Sequence, residues 1–176
     1  MEFRKDIFDL KIFNLKRFKD KRGMLTKFFY SDLFDKYNFK VDDIYTTVSH
    51  KNVVRGLHHQ LSPYGQAKLI TCLSGNFWDI SVDLRKGSST YGKVFSYKLS
   101  SKKDESILIP AGFSHGTISL DDGTVMLSIC SGKYLPETEG GININSLNLE
   151  FLKEKQNMSL ILSSKDESLP NIEEVL

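Results

Sequence analysis

The stretch from Asn76 to Leu84, NFWDISVDL, decides the fold class. Apolar residues stand at Trp78, Ile80, Val82 and Leu84, and polar residues stand at the positions between them. Because successive side chains of a β-strand point to opposite faces, this period of two predicts a strand with one apolar and one polar face. We therefore expect a half-buried strand here.

Further short runs rich in β-branched and aromatic residues lie on both sides of this strand. Turn signals such as Asp122-Gly123 separate them, and an Asp-Gly pair between apolar runs is typical of a hairpin. The predicted strands are Leu10–Phe18, Met24–Tyr30, Ala67–Leu73, Val94–Leu99, Ser106–Ile109, Gly116–Leu120 and Thr124–Cys130. Helix is expected only at Ser31–Asn38 and in the tail from Ser163 to Leu176. The pattern predicts one all-β domain over residues 1–176, a sandwich or barrel, of which a jelly roll is one possibility.

Composition narrows the possible functions. The 176 residues are 40% hydrophobic and 26% charged, with a formal net charge of +2, which is typical of a globular protein. So small a net charge argues against nucleic acid or an anionic membrane as partner. No apolar run approaches the roughly 20 residues of a membrane helix, and the start MEFRKDIFDLK lacks the features of a signal peptide. Cys72 and Cys130 lie in apolar runs, which indicates buried thiols in a reducing, cytoplasmic compartment.

The residues best suited to catalysis or ligand binding cluster near bends that contain glycine. Arg55 and His58 fall in VVRGLHHQ, Lys68 in GQAKL, and His115 in IPAGFSHG. A metal site would favour ligands two residues apart on one strand, whereas His58 and His59 are adjacent and point opposite ways, so no metal is expected. Each histidine alone could be an ordinary polar residue of a barrel rim. Their recurrence with Arg and Lys at turns of one small barrel favours a site.

These motifs resemble the dTDP-4-dehydrorhamnose 3,5-epimerase family. The similarity spans almost the whole chain and rests on Asp20–Gly23, Arg55–Gln60, Gln66–Leu69, Asp79–Ser88, Ile109–Gly116 and Leu162–Asp166. It implies a cupin-type jelly-roll barrel with short helices at the periphery and C-terminus, no cofactor and no metal. It also implies a homodimer, and because most of the 176 residues are used in the barrel, we expect the nucleotide pocket to take an N-terminal strand from the second subunit.

The resemblance further implies the chemistry. The substrate would be a nucleoside-diphosphate-linked 4-keto sugar, whose carbonyl acidifies the hydrogens on C3 and C5. His58 would be the base, oriented by Asp166, and Lys68 would stabilise the enolate oxygen. His115 and Gln60 would line the substrate pocket, and Arg22 and Arg55 would bind the diphosphate. On a straight strand, however, Arg55 and His58 face opposite ways, so the site needs a bend, a twist or a partner chain; His59 is expected to pack or to contact the rim.

Four positions depart from the family pattern. The family places a tyrosine acid where this chain has Ser128, so a water held by Ser128 or the phenol of Tyr134 would replace it, or only one centre, C3, would be inverted. The family also commonly has Glu where this chain has Lys27, and Gln and Asn where it has Asp43 and Tyr45. Lys27 could recognise acceptors on guanine, which raises a GDP-linked hexose or heptose beside the dTDP-linked sugar.

The sequence thus predicts a 3- or 3,5-epimerase of surface-polysaccharide sugar biosynthesis. A 3,4-ketoisomerase on the same barrel is the alternative enzyme, since it also needs a base histidine. A binding protein that has lost its acid at Ser128 is the alternative from another class.

Overall fold

The computed structural model describes residues 1–153 and 158–176. Within this part of the chain, thirteen strands form two facing sheets and one separate hairpin. The strands are β1 (Glu2–Ile7), β2 (Leu10–Asn14), β3 (Lys16–Asp20), β4 (Gly23–Lys27), β5 (Asp43–Ser49), β6 (Val54–Gln60), β7 (Ala67–Ser74), β8 (Asn76–Asp83), β9 (Val94–Ser100), β10 (Glu105–Ile109), β11 (Phe113–Ser119), β12 (Thr124–Ser131) and β13 (Glu139–Gly141). The helices are short: α1 (Ser31–Lys36), α2 (Glu150–Lys153), α3 (Ser164–Glu167) and α4 (Ile172–Val175).

The strand order confirms an all-β jelly roll. One sheet runs β1-β2-β10-β7-β12-β5, the other runs β13-β6-β11-β8-β9, and β3 pairs with β4 apart from both. All the pairings between strands are antiparallel. The predicted strand Leu10–Phe18 is divided in two, because the chain leaves the six-stranded sheet at Leu15 and continues into the β3–β4 hairpin.

The closed end of the barrel is filled by apolar side chains from both sheets. Ile70, Cys72 and Met126 of one sheet pack with Phe77 and Leu99 of the other. A second cluster covers the outer face of the five-stranded sheet, where Ile80 and Val82 pack under the segment that follows β13. A third, around Phe13 and Leu69, covers the outer face of the six-stranded sheet.

The expectation of a half-buried β8 is wrong. Asp79, Ser81 and Asp83 are 1%, 1% and 0% exposed, so the polar face is as buried as the apolar one. The polar face turns inward, since Asp79 and Ser81 share it with Phe77 of the interior cluster, while the apolar face turns outward under the C-terminal segment. Polar groups can occupy the inside of a barrel when they line a site and find partners there.

Cys72 and Cys130 are free and buried, and burial raises the pKa of the Cys72 thiol to about 11. Across residues 1–153 and 158–176, no helix has the length and hydropathy needed to cross a bilayer.

Candidate active site

A cavity of about 270 Å³ opens between the two sheets at one end of the barrel. One wall carries His58 and Gln60 of β6 and Glu139 of β13, and the facing wall carries Lys68 of β7 and Tyr45 of β5. The remaining lining residues are Asp43, His59, Gln66 and Tyr134. The cavity therefore brings together His58, Lys68, Gln60 and Tyr134 of the sequence-predicted site.

His58 and Asp166 form a hydrogen-bonded pair across 108 residues of sequence. His58 Nε2 lies 2.7 Å from Asp166 Oδ1, and the backbone N–H of Gly56 donates to Asp166 Oδ2 over 3.3 Å. Ser163 caps α3 by accepting a hydrogen bond from the Asp166 N–H, which fixes the carboxylate-bearing turn. A backbone bridge between Val53 and Ile161 holds this segment beside β6. A carboxylate can only accept, so Nε2 carries the proton and Nδ1 is left with a free lone pair.

A bulge in β6 explains how Arg55 and His58 come to share a face. His115 of β11 lies opposite His58, but Thr117, only two residues on, lies opposite Arg55. Two residues of β6, Gly56 and Leu57, thus oppose one residue of β11, which is the definition of a bulge. Gly56 has φ +94°, and a Cβ there would lie 2.6 Å from the His115 carbonyl oxygen, so this position requires glycine. The bend that the sequence demanded is local to one glycine.

Glu139 was missed by sequence reasoning. Its Oε1 lies 3.9 Å from His58 Nδ1, and its Oε2 accepts hydrogen bonds from Tyr134 Oη at 3.0 Å and Lys165 Nζ at 2.5 Å. Burial opposes its ionisation, but the hydrogen bonds from Lys165 and Tyr134 outweigh it and lower the pKa of Glu139. A carboxyl group therefore lies on each side of the His58 ring. Only the pairing of the three-residue strand β13 with β6 places Glu139 here, and no local sequence signal announces it.

Lys68 is an isolated cation on the facing wall. Burial lowers the pKa of its ammonium group, and the charges of Cys130, Glu139 and Asp79 only partly oppose this. Among the described residues no carboxylate lies within ion-pairing distance of Lys68 Nζ. A half-buried ammonium that faces a cavity without a partner is suited to a substrate oxygen that gains negative charge.

Tyr45 is a second residue that sequence reasoning did not place in the catalytic centre. In the β5–β12 register Tyr45 lies directly opposite Ser128, so both side chains project from the same face of the sheet. Tyr45 lines the cavity, whereas Ser128 is 0% exposed and lies behind it, with its hydroxyl 3.4 Å from the Cys130 thiol. Burial raises the pKa of the Tyr45 phenol, and a hydrogen bond from Ser128 moderates that rise.

His115 forms a second histidine–carboxylate pair next to the first. His115 Nε2 lies 2.8 Å from Asp79 Oδ2, with both side chains buried, and His115 is the register partner of His58. The inward-facing acid of β8 thus has a partner, which accounts for one of the buried polar residues there. His115 supports the wall that carries His58 and does not itself line the cavity.

Gln60 and His59 have local partners. Gln60 donates to the carbonyls of Tyr64 and Lys133 and accepts from the N–H of Leu135, so it anchors the loop that carries Tyr134. His59 Nδ1 lies 3.2 Å from Ser114 Oγ, and burial, with the electrostatic influence of the neighbouring His58 and Lys68, lowers the pKa of its ring. His59 lines the cavity.

The predicted diphosphate ligands lie away from the cavity of the same chain. Arg22 is in the turn of the β3–β4 hairpin, 83% exposed and paired with Asp20, and Lys27 ends that hairpin. Arg55 donates to Ser49 Oγ and to the Val48 carbonyl at the far end of β6. Within the described part of a single chain, these cations do not meet the His58–Asp166 pair.

Comparison with known proteins matches this arrangement to one family. The family model for dTDP-4-dehydrorhamnose 3,5-epimerase matches residues 4–174. The chain belongs to that family. Its relatives are isomerases, and one from Shigella flexneri with the family's name is 36% identical over 168 residues, covering 92% of this chain and 90% of its own.

Solved structures of the family agree with the fold. The dTDP-4-dehydrorhamnose 3,5-epimerase of Sulfolobus tokodaii is 31% identical with a TM-score of 0.87, covering 98% of this chain and 95% of its own. A double mutant of ChmJ, a 3′-monoepimerase from Streptomyces bikiniensis solved with dTDP, is 26% identical with a TM-score of 0.88, covering 99% of this chain and 88% of its own. The cupin-type barrel expected from the sequence is therefore confirmed, and the family includes a member named for inversion at a single centre.

Proposed function

We propose that this protein is an epimerase that inverts C3, or C3 and C5, of a nucleoside-diphosphate-linked 4-keto sugar. The observation that carries the proposal is the His58–Asp166 pair, which faces the Lys68 ammonium, a group with no ion-pair partner among the described residues, across the cavity. Membership of the epimerase family supports it. The whole described chain contributes to one site-bearing domain, which we propose extends over residues 1–176.

The geometry assigns a role to each group. Asp166 holds the Nε2–H of His58, so Nδ1 takes the proton from the carbon next to the keto group. The C–H electron pair forms a C=C bond to C4, and the carbonyl π pair moves onto the C4 oxygen, where the Lys68 ammonium stabilises the enolate more than the neutral ketone. Glu139 Oε1, 3.9 Å from Nδ1, faces the imidazolium that results. Positioned base catalysis of this kind contributes about 10²–10⁴-fold to a rate.

Deuterium exchange tests this proposal. The protein is incubated in D₂O with dTDP- and GDP-linked 4-keto-6-deoxyhexoses, and with the corresponding heptose, and the products are followed by NMR. We expect deuterium at C3, with or without C5, while the keto group stays at C4, and we expect His58→Asn to abolish exchange at every position. A keto group that moves to C3 would identify a ketoisomerase instead. An absence of exchange in every substrate would identify a binding protein, and both results contradict the proposal.

We further propose a homodimer in which the β3–β4 hairpin of one copy completes the site of the other. The hairpin exposes Phe18, Met24 and Leu25, each more than half accessible, around a groove that also holds Arg22 and Lys27. β5 is the outer strand of its sheet and exposes Ile44 and Val48. Apolar surface on an isolated two-stranded arm needs a cover, and an outer strand is a natural place for it.

Mixing two inactive variants tests the exchange. His58→Asn and Arg22→Glu copies are co-refolded, and exchange activity is compared with that of each variant alone. If Arg22 serves the partner's cavity, mixed dimers contain one intact site, and the mixture regains about a quarter of wild-type activity. Sedimentation shows whether dimers form. A monomer, or a mixture as inactive as its components, would contradict hairpin exchange.

The proposal places the reaction in the cytoplasm, as a step of surface-polysaccharide sugar synthesis. The two buried free thiols support a reducing compartment. The identity of the product formed by the wild-type protein tests the pathway assignment.

A further inference from the structure

Inversion of a carbon requires a proton donor on the side opposite the base. This requirement rests on the proposed epimerase function. His58 removes a proton toward the five-stranded sheet, so the proton that completes inversion must come from the six-stranded sheet. A donor on the same wall as His58 can only return the proton to the face it left, which gives exchange without inversion.

Two phenols line the cavity, and they belong to different walls. The Tyr134 hydroxyl donates to Glu139, a residue of β13, which pairs with β6 and whose other oxygen faces His58. The Glu139 bond also raises the pKa of the Tyr134 phenol. Tyr134, Glu139 and His58 thus form one connected group on the side of the base.

Tyr45 stands on the other wall. Tyr45 belongs to β5 and lies opposite Ser128 of β12. Ser128 in turn lies opposite Ile70 of β7, which packs in the interior between the sheets. One step along the same face lies the row of Lys68, Cys130 and Asp43. The Tyr45 phenol therefore projects from the same inner face as the Lys68 ammonium, opposite His58.

We propose that Tyr45 is the acid that completes inversion in this protein. His58 removes the carbon-bound proton, the C–H pair becomes the enolate with its charge on the C4 oxygen beside Lys68, and the Tyr45 O–H then protonates the same carbon from the opposite face. Carbon gains the phenolic proton, the enolate pair forms the new C–H bond, and Tyr45 is left as the phenolate. Proton exchange with water returns His58 and Tyr45 to their starting forms, so the inverted carbon carries a solvent-derived hydrogen.

The pairing of Tyr45 with Ser128 gives this inference its second support. The family that the chain resembles has its tyrosine acid at the position of Ser128, and the structure shows this serine buried with a phenol directly across the ladder. At this level β5 carries the large side chain of Tyr45 and β12 carries the small side chain of Ser128. The phenol therefore stands one strand away from the position where the family has its tyrosine. Ser128 is the register partner of Tyr45, and its hydrogen bond moderates the rise that burial causes in the pKa of the phenol.

The experiment separates proton removal from inversion. Wild type, Tyr45→Phe and Tyr134→Phe are incubated in D₂O with the 4-keto sugar that the wild-type protein exchanges, and NMR follows both deuterium in the unreacted sugar and the amount of inverted product. Tyr64→Phe, an exposed phenol outside the cavity, is the matched control. We expect Tyr45→Phe to keep deuterium incorporation within about threefold of wild type, while inversion falls about 10²-fold or more, since His58 can still return a deuteron to the original face.

A volume-conserving exchange guards against a simple folding defect. Tyr45→Ser should lose inversion, and the double variant Tyr45→Ser with Ser128→Tyr should regain it at least tenfold, since the phenol returns on the neighbouring strand. If Tyr45→Phe inverts as fast as wild type, or if only Tyr134→Phe shows exchange without inversion, Tyr45 is not the acid. Those results leave exchange intact and so overturn this inference alone. A wild-type protein that exchanges no hydrogen overturns the proposed function and this inference with it.

Discussion

Replacing Lys68 with methionine should make the protein more stable and far less active. The Lys68 ammonium is half-buried at the cavity, has no carboxylate within ion-pairing distance among the described residues, and has a pKa lowered by burial. Methionine keeps the aliphatic stem and removes the charge. Removing an unfavourable buried group of this kind commonly adds about 0.5–2 kcal/mol, which corresponds to a rise in Tm of about 1–8 °C for a domain of this length. Loss of the cation opposite a developing oxyanion should lower the exchange rate about 10²–10³-fold.

The pH dependence of stability gives this prediction a sign. The folded-state pKa of Lys68 lies below its ordinary value of 10.5, so the folded protein releases this proton before the unfolded chain does. The destabilisation by Lys68 is therefore fully present below the folded-state pKa and shrinks as the pH rises from there toward 10.5. Urea unfolding at pH 7 and near pH 10 should show the advantage of Lys68→Met narrowing, while an exposed control, Lys98→Met, shows no such trend. A Lys68→Met protein that is less stable than wild type at pH 7, or that exchanges at the wild-type rate, would refute the reasoning.

Two further predictions concern residues that support the site, and a third concerns Asp83, a buried acid of β8. Asp166→Asn should slow deuterium exchange about 10- to 100-fold, because it removes a charged hydrogen bond to His58 worth about 1.5–3 kcal/mol. Glu167→Gln, at the neighbouring residue, is the control. Equal exchange rates in the two variants would contradict a role for the pairing of Asp166 with His58. Gly56→Ala should lower the free energy of unfolding by about 2–5 kcal/mol, because it places a Cβ 2.6 Å from a backbone oxygen at a residue with positive φ. The control Gly123→Ala also has a positive φ but has open space around the added Cβ, so it should cost only about 1 kcal/mol. Equal losses in thermal unfolding would be the contrary result. Burial opposes ionisation of Asp83, but hydrogen bonds from nearby side chains outweigh burial and lower the pKa of this carboxyl group. The stabilisation that ionised Asp83 provides is therefore present above the unfolded-state pKa near 3.9 and is lost as the pH falls below 3.9. Between pH 5 and pH 2, wild type should lose more free energy of unfolding than Asp83→Asn, and parallel losses would contradict this prediction.

The strands of the barrel were largely predictable from the sequence, but the side of each strand that faces the interior was not. The period of two in β8 correctly predicts a strand, yet it carries no information about what covers the apolar face. The cover is the segment after β13, which packs on Ile80 and Val82 from more than 50 residues away in sequence. The polar face of β8 therefore points into the barrel, where Asp79 pairs with His115.

The candidate site shows the same division. His58, Asp166 and Lys68 were identified through motifs, and the structure brings them to one cavity or one hydrogen-bonded pair. Glu139 and Tyr45 were not placed in the catalytic centre, because each reaches it only through strand pairing: Glu139 through β13 on β6, and Tyr45 through its register with Ser128. A motif identifies residues that are near in sequence, whereas ladder partners are set by topology.

The covering of β8 by the C-terminal segment links catalysis to local stability. The same segment that shields Ile80 and Val82 from water also carries Asp166 to His58. If this segment opens while the rest of the barrel stays folded, two changes occur at once: His58 loses its orienting carboxylate, and the outer face of the five-stranded sheet becomes hydrated. Activity then reports the local unfolding equilibrium of one peripheral segment, and it should fade on heating before the barrel itself melts. Hydrogen-exchange protection in residues 158–167 would be the physical measure of how much of the protein is competent at any moment.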